Sequence, residues 1–153
     1  MTQPYKTLSQ PNANARPGGV DGDVIARAEA ALKSLAGQFS RWLQDEIDKL
    51  EAANSRVALE GLAGEAGEAL HTHAHDLKGL GGTYEFPIVT RMAGSLCRLL
   101  EAGRAEAPLD LINAHIETIK AVVRDGIRDE GHPVGALLAT SLEERVSAVV
   151  GDS

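Results

Sequence analysis

The sequence is poor in the residues on which several common kinds of protein depend. Its 153 residues include one cysteine, Cys97, so an internal disulfide and a zinc site built from several cysteines are both excluded. Aromatic residues make up only 3% of the chain, and its apolar residues are mainly Ala, Leu, Val and Ile. This composition favours close-packed helices over a β-sandwich. The length suits one domain, which would bury roughly 68–70% of the surface of the unfolded chain.

The chain also lacks a surplus of positive charge. It has 15 Lys and Arg against 22 Asp and Glu, a net charge of −7, and no dense basic stripe. Nucleic acid is therefore not an expected ligand, because binding to a phosphate backbone needs clustered cations. No apolar run approaches the roughly 18 residues of a membrane-spanning helix, and the polar N-terminus does not resemble a secretion signal. We expect a cytoplasmic protein that does not bind membranes.

The sequence does contain a series of segments with helical periodicity. Residues 1–19 hold three of the six prolines and show no apolar period, so we interpret them as a flexible tail that precedes a helical bundle over residues 20–153. Beyond the tail, apolar residues recur every three or four positions. The first stripe consists of Val24, Ala28, Leu32, Leu35, Phe39, Leu43, Ile47 and Leu50. Gly37 interrupts this stripe and predicts a division into two helices.

The next predicted helix has an unusual composition. Asn54 and Ser55 offer an N-cap for a helix over about residues 55–82. Its expected inward stripe is Leu59, Leu62, Ala66, Ala69, His73, Leu77 and Leu80. Because the stripe is amphipathic, one side of this helix should pack on the bundle and the other should face solvent.

Three more helices are expected after it. Pro87 is a favoured first-turn residue and predicts a third helix ending at Gly103, and Asp110 predicts the cap of a fourth. Their apolar stripes are Ile88, Met92, Leu96 and Leu99, and then Ile112, Ile116, Ile119, Val123 and Ile127. A weaker amphipathic segment covers residues 137–150. The expected fold is all-α, a monomeric antiparallel four-helix bundle with an N-terminal extension and an extra C-terminal helix.

The stretch HTHAHDLKGLGG, residues 71–82, puts histidines and glycines inside a predicted helix, although both are poor or mediocre helix formers. At about 100° per residue, His75 faces away from the side that carries Leu77. Lys78 and Gly79 follow His75 by three and four residues, so both neighbour it on the outward side. An exposed imidazole flanked by a cation and by bare backbone is therefore expected.

This outward face suits a group that carries a phosphoryl group and is approached by another protein. The ordinary pKa of histidine is about 6.5, so much of an exposed imidazole is unprotonated near neutral pH and can act as a nucleophile. Lys78 can neutralise a phosphoryl group on His75. Gly79 and Gly82 remove bulk at a cost of roughly 1 kcal/mol of helix propensity each. The face has the features of a docking surface.

The string HDLKG, residues 75–79, resembles the H-x-L-K-G motif of histidine-containing phosphotransfer (HPt) domains, the intermediate carriers of phosphorelays. The following turn, Pro87 and the sequence RMAGSLCRLLE also resemble the family, so the likeness covers about residues 55–104. The resemblance implies that His75 accepts a phosphoryl group from a receiver-domain aspartate or from a sensor or hybrid histidine kinase. The group would then pass to a response-regulator receiver.

The resemblance also implies a phosphocarrier rather than an enzyme. Magnesium and most of the transition-state stabilisation would come from the receiver, so no cofactor is expected on this chain, which has no P-loop or glycine-rich nucleotide motif. The family often has Ser or Ala where this chain has Leu80, and its next helix commonly presents a polar side chain near the phosphohistidine. Cys97 occupies about that position here, with Gly94 one turn before it and Arg98 beside it.

Two other interpretations remain open. His71 and His75 are four residues apart and could share a zinc ion with Glu68, but Lys78 works against such a site and no fourth ligand is evident. We therefore expect no metal site. The second alternative is a helical adaptor in which the glycine-rich face only packs against another helix. Of the remaining histidines, His73 is expected to be a hydrogen-bonded core residue, and His71 a neighbour of the site.

Overall fold

Helices account for the whole regular structure of the part of the chain that is described. The computed structural model describes residues 21–151, and within this range there are five α-helices and no strand. They are α1 (Gly22–Glu60), α2 (Glu65–Thr83), α3 (Pro87–Gly103), α4 (Leu109–Arg124) and α5 (Pro133–Val150). None of these helices is both long enough and apolar enough to cross a membrane. The tail predicted for residues 1–19 lies outside the described range.

The chain divides into one unit that ends at residue 38 and another that begins at residue 39. In the second unit, residues 39–60 of α1 and the helices α2, α3 and α4 form an antiparallel four-helix bundle. Nζ of Lys120 in α4 donates to Oε2 of Glu51 in α1 at 2.5 Å, and Nδ2 of Asn54 donates to Oδ1 of Asn113 at 2.5 Å. The later residue of α1 thus pairs with the earlier residue of α4, as in antiparallel packing. The largest fully buried side chains are Leu43, Ile47, Leu50, Leu70, Leu77, Phe86, Ile88, Met92, Leu96, Leu99, Ile112 and Ile116. The predicted all-α bundle is confirmed.

The extra C-terminal helix is also confirmed, and it packs against α3 and α4. It begins at Pro133 rather than at Leu137, because proline suits a helical first turn and the ring of His132 caps the helix. Nδ1 of His132 accepts a hydrogen bond from the backbone N–H of Val134 at 3.2 Å. α5 is therefore a full helix with a defined start, and not a weak terminal segment.

The course of α1 differs from the prediction. Gly37 does not divide it, since a single glycine costs only roughly 1 kcal/mol and its neighbours are good helix formers. The helix continues through Asn54 and Ser55, which therefore cap nothing. It ends before Gly61, whose φ of 87° is a left-handed conformation that glycine adopts easily. The motif helix consequently begins at Glu65, later than the predicted start.

Several residues predicted to face inward are exposed or only partly buried. Leu32 is 67% exposed in the unit that ends at residue 38, and Leu59 near the end of α1 is 89% exposed. On α2, His73 and Leu80 are only partly buried. The buried residues of this helix are Ala66, Gly67, Leu70, Ala74, Leu77 and Gly81. The apolar residues of α2 cover a wide arc, and the packing of α3 decides which part of that arc is buried.

The limits of α3 agree with the prediction, but the start of α4 does not. α3 begins at Pro87 and ends at Gly103. α4 begins at Leu109, and its capping position is held by Pro108, which makes no side-chain cap. Asp110 therefore lies inside the first turn of α4, where its negative charge still interacts favourably with the helix dipole.

Gly81 allows the end of α2 to approach the start of α3 closely. A Cβ at this buried position would lie 2.5 Å from Thr90 Oγ1 and 2.7 Å from the Thr90 backbone nitrogen, whereas a Cβ at Gly79 would meet nothing within 4 Å. We expect Gly81→Ala to lower the free energy of unfolding by about 1–3 kcal/mol through overpacking. Gly79→Ala should raise it by up to about 1 kcal/mol through helix propensity. Urea unfolding measures both, and equal effects of the two alanines would contradict this account.

The core contains one histidine with a defined protonation state. His115 is fully buried; its Nδ1 lies 2.7 Å from the Leu111 carbonyl oxygen and its Nε2 lies 2.9 Å from Ser95 Oγ. Because a carbonyl can only accept, Nδ1 carries the hydrogen, and Nε2 is left to accept from the Ser95 hydroxyl. Burial lowers the pKa of His115 below 6.5, although the bond to Leu111 acts in the opposite direction. The neutral ring is therefore the folded form.

The buried neutral ring makes the stability of the fold depend on pH. His115 protonates near pH 6.5 when the chain unfolds but only at lower pH when it is folded, so the unfolded chain binds more protons between these two pKa values. As the pH falls below 6.5, the free energy of unfolding should decrease by up to roughly 1.4 kcal/mol per pH unit from this residue. Urea unfolding across this range should show a shallower dependence in His115→Asn than in His75→Gln. Equal slopes in the two variants would contradict the prediction.

Candidate functional site

His75 lies exposed in the middle of α2, two residues before the buried Leu77. Lys78 and Gly79 are exposed one turn further along, and Gly82 one turn beyond them. Among the described residues, and apart from the backbone of the helix itself, a Cβ at Gly79 would meet no atom within 4 Å, and one at Gly82 would have its nearest neighbour at 3.9 Å. The surface on this side of the imidazole is therefore bare backbone that a partner molecule can approach.

The side chain of Lys78 lies against α3 at Gly94. A Cβ at Gly94 would be 3.7 Å from Cδ of Lys78, so the absence of a side chain there leaves room for the aliphatic part of the lysine. Lys78 itself is exposed, which keeps its ammonium group in solvent. At the same contact between α2 and α3, Thr90 Oγ1 donates a hydrogen bond to the Lys78 carbonyl oxygen at 2.8 Å. Helix α3 thus holds the lysine backbone and supports its side chain.

Cys97 of α3 is buried, with 3% of its surface exposed. Burial raises the pKa of its thiol to about 11; Glu101 adds to this effect and Lys78 opposes it. Helix α2 contacts α3 both before and after His75, through His71 with Glu101 and through Lys78 with Gly94. Because both helices rise about 1.5 Å per residue, these two contacts place Cys97 level with His75. No hydrogen bond joins these two side chains in residues 21–151. Cys97 is therefore a neutral, weakly polar group beneath the site.

Arg98 was expected to lie beside the site, and the structure places it elsewhere. Its guanidinium donates to Ser147 Oγ at 3.0 Å and to the carbonyl oxygen of Gly151. These contacts direct the side chain to the end of α5 and away from His75. The reason is helical geometry, because the residue after Cys97 is turned by about 100° around the axis of α3. The predicted supporting position of Arg98 is wrong.

The other two histidines of α2 also have defined surroundings. Nε2 of His71 lies 2.8 Å from Oε2 of Glu101 on α3, so His71 contacts the neighbouring helix on the Lys78 side of the site. His73 is only partly buried, and its Nδ1 has no hydrogen-bond partner among residues 21–151. The prediction of His73 as a hydrogen-bonded core histidine is therefore wrong. That description fits His115, whose position in an ordinary apolar stripe gave no sign of it.

A shallow cleft of about 310 Å³ borders His75 on the side of α1. It is lined by Glu46, His75, Asp76, Gly79 and Leu80. Sequence reasoning missed Glu46, because it lies far from the motif in the chain and reaches it only through the antiparallel packing of α1 and α2. A helical wheel of α1 places it one turn before the buried Leu50, at the edge of the apolar stripe, but does not name the facing residue.

The charges around His75 are arranged unevenly. Lys78, the only lysine or arginine in α2, lies on the α3 side, whereas Asp76 and Glu46 lie on the α1 side. A phosphoryl group on the imidazole would therefore have a cation on one flank and carboxylates on the other. An exposed nucleophilic ring with one adjacent cation can carry a phosphoryl group, whereas hydrolytic catalysis would also need an activating base and an oxyanion site.

A comparison with protein families found a match to this chain. The family model described as Hpt domain matches residues 34–147, which include most of α1 and the whole of α2, α3 and α4. A search of curated proteins and a search of solved structures each returned no match. Hpt domains are helical phosphocarrier modules without kinase activity, and they act with receiver domains and histidine kinases in two-component signalling. Because the match spans well over half of its length, the chain belongs to the Hpt domain family.

Proposed function

We propose that this protein is a phosphorelay intermediate that carries its phosphoryl group on His75. The group arrives from a receiver-domain aspartyl phosphate or from a histidine kinase, and it leaves to the aspartate of a response-regulator receiver. The observation that carries this proposal is the exposure of His75 within the HDLKG motif of a chain that belongs to the Hpt family. A carrier needs an accessible nucleophile on a rigid support, and α2 supplies one.

The proposed transfer needs no bond-making group on this chain besides the imidazole. The unprotonated ring nitrogen of His75 attacks the phosphorus atom, an N–P bond forms, and the O–P bond of the aspartyl phosphate breaks to release a carboxylate. The other ring nitrogen keeps its hydrogen, so no proton has to leave. The return step reverses these changes with a second receiver aspartate as the nucleophile. In this account magnesium belongs to the receiver.

Four neighbouring residues have roles in the proposal. The ammonium group of Lys78 neutralises part of the charge of the phosphoryl group. Gly79 and Gly82 present bare backbone, which lets the acidic site of a receiver come close to the ring. Cys97 offers a neutral thiol at the level of His75, and it contributes no charge to the site because its pKa is about 11.

The experiment is phosphoryl transfer from a panel of receiver domains encoded by the same genome, each phosphorylated with radiolabel in the presence of magnesium. We expect at least one receiver to lose its label to the chain, and the label to be labile in acid and stable in alkali, as a phosphoramidate is. A helical adaptor would bind a receiver without gaining label. A metal-binding protein would neither bind a receiver nor gain label. Absence of transfer from every receiver and every cognate kinase would contradict the proposal.

A further inference from the structure

A second cluster of side chains lies where α1 faces α2. Glu46 comes from α1 and His73 and Asp76 come from α2, and one ligand atom from each lies within 4.8 Å of the other two. His73 and Asp76 are three residues apart, so they share a face of the helix. Antiparallel packing brings Glu46 opposite to them. The cluster therefore joins the two helices through an imidazole and two carboxylates.

The charges of this cluster are only partly balanced by its neighbours. The side chain of Glu46 is only 18% exposed, and its one ion pair within the described residues is with Lys49, at 3.1 Å. Asp76 forms no ion pair with any residue in the described range 21–151. Nδ1 of His73 is buried and has no hydrogen-bond partner there. Two carboxylates thus lie close to an imidazole whose buried nitrogen has no partner in residues 21–151, and together these groups offer ligands for a cation.

We propose that Glu46, His73 and Asp76 bind a divalent transition-metal ion such as zinc. Imidazole and carboxylate together suit zinc and its neighbours in the first transition row, whereas Mg²⁺ and Ca²⁺ prefer oxygen ligands alone. Zinc lies about 2.0–2.2 Å from such ligands, which places its donor atoms roughly 3–4 Å apart. The separation of up to 4.8 Å is close to this, and Asp76 is exposed and able to move inward. Three protein ligands leave the fourth position for water.

The ion would join α1 to α2 beside the phosphoacceptor. Glu46 and Asp76 also line the cleft that borders His75, so occupancy of the cluster would reduce the negative charge on that flank of the ring. This site is distinct from a zinc site on His71 and His75, because the ring of His71 is hydrogen-bonded to Glu101 of α3. The inference does not rest on the proposed phosphotransfer, since binding can be measured on the chain alone.

The test is zinc binding by isothermal titration calorimetry and equilibrium dialysis at neutral pH, with the full chain and no chelator. Asp76→Asn removes an exposed ligand and should leave the fold intact, and His73→Gln removes the imidazole. Each should weaken zinc binding by more than about tenfold, since loss of a residue that only hydrogen-bonds to a ligand already costs about 10–100-fold. The matched control, His71→Gln, removes a neighbouring histidine outside the cluster.

A fourth variant tests the competing cation. Lys49→Ala removes the partner of Glu46, and zinc binding should be retained or become tighter. Zinc should raise the midpoint of thermal unfolding of the wild type but not that of Asp76→Asn. No zinc binding by the wild type would overturn the proposal, as would equal binding by all four variants. Loss of binding in His71→Gln with retention in Asp76→Asn would also overturn it, by placing the ion on the other flank of α2.

Discussion

His75→Gln abolishes phosphorylation of the chain and leaves its fold intact: this is the largest effect that we expect from a single substitution. The side chain is exposed, and Gln is a better helix former than His, so circular dichroism and urea unfolding should match those of the wild type. The variant lacks the nucleophilic nitrogen, and no neighbouring group can take its place at the same position. Radiolabel transfer from an active receiver measures the result.

The matched controls are His71→Gln and His73→Gln, which change the other two histidines of α2 in the same way. His71 contacts Glu101 and His73 faces α1, so neither presents its ring at the centre of the docking surface. Both variants should accept label at a rate within a few-fold of the wild type. Label retained by His75→Gln, or lost only in one of the controls, would place the phosphoacceptor elsewhere on α2.

Lys78→Ala should slow phosphoryl transfer by one to two orders of magnitude without stopping it. In the proposed transfer the ammonium group makes a charge-assisted contact with the phosphoryl group, which would contribute about 1–3 kcal/mol. Each 1.4 kcal/mol corresponds to roughly a factor of ten in rate. Lys78→Arg should recover part of the loss, because the charge is kept while the compact shape of the ammonium is not. Rapid-quench measurements of transfer give the rates of all three proteins.

The control for net charge is Arg124→Ala, which removes an exposed cation at the end of α4. This arginine forms an ion pair only with the adjacent Asp125 among the described residues, so its removal changes the total charge equally but leaves the α2 face intact. Transfer by Arg124→Ala should proceed at the rate of the wild type. If Lys78→Ala were as fast, or if both variants were slowed equally, the lysine would have no specific role at the phosphoryl group.

Much of the fold follows from local signals in the sequence. Pro87 and Gly103 delimit α3 because proline suits a first turn and glycine suits an end. The predicted apolar stripe of α3 is buried, and so is that of α4 as far as Val123, whereas Ile127 lies beyond the end of α4 and is only partly buried. The boundary between α1 and α2 is harder to predict from local signals. Asn54 and Ser55 carry a cap signal that α1 overrides by packing, whereas the actual end of the helix depends on the backbone of Gly61.

The parts of the site that could be predicted are those defined on one helix. Spacing along α2 is enough to place Lys78 and Gly79 next to His75, since three and four residues make one turn. The position of Glu46 and the direction of Arg98 depend instead on how α1, α3 and α5 pack, and no local pattern encodes these contacts. Burial of His115 is likewise a tertiary property. Its partner Ser95 lies on another helix.

The proposed phosphoryl group resides on His75, and its position on the chain can be determined by mass spectrometry. After transfer from an active receiver, the chain is digested and analysed by tandem mass spectrometry under neutral to alkaline conditions, which preserve phosphohistidine. We expect one phosphorylated residue, His75, in the peptide that contains HTHAHDLKGLGG. A phosphoryl group on His71, on His73 or on any carboxylate, with His75 unmodified, would contradict it.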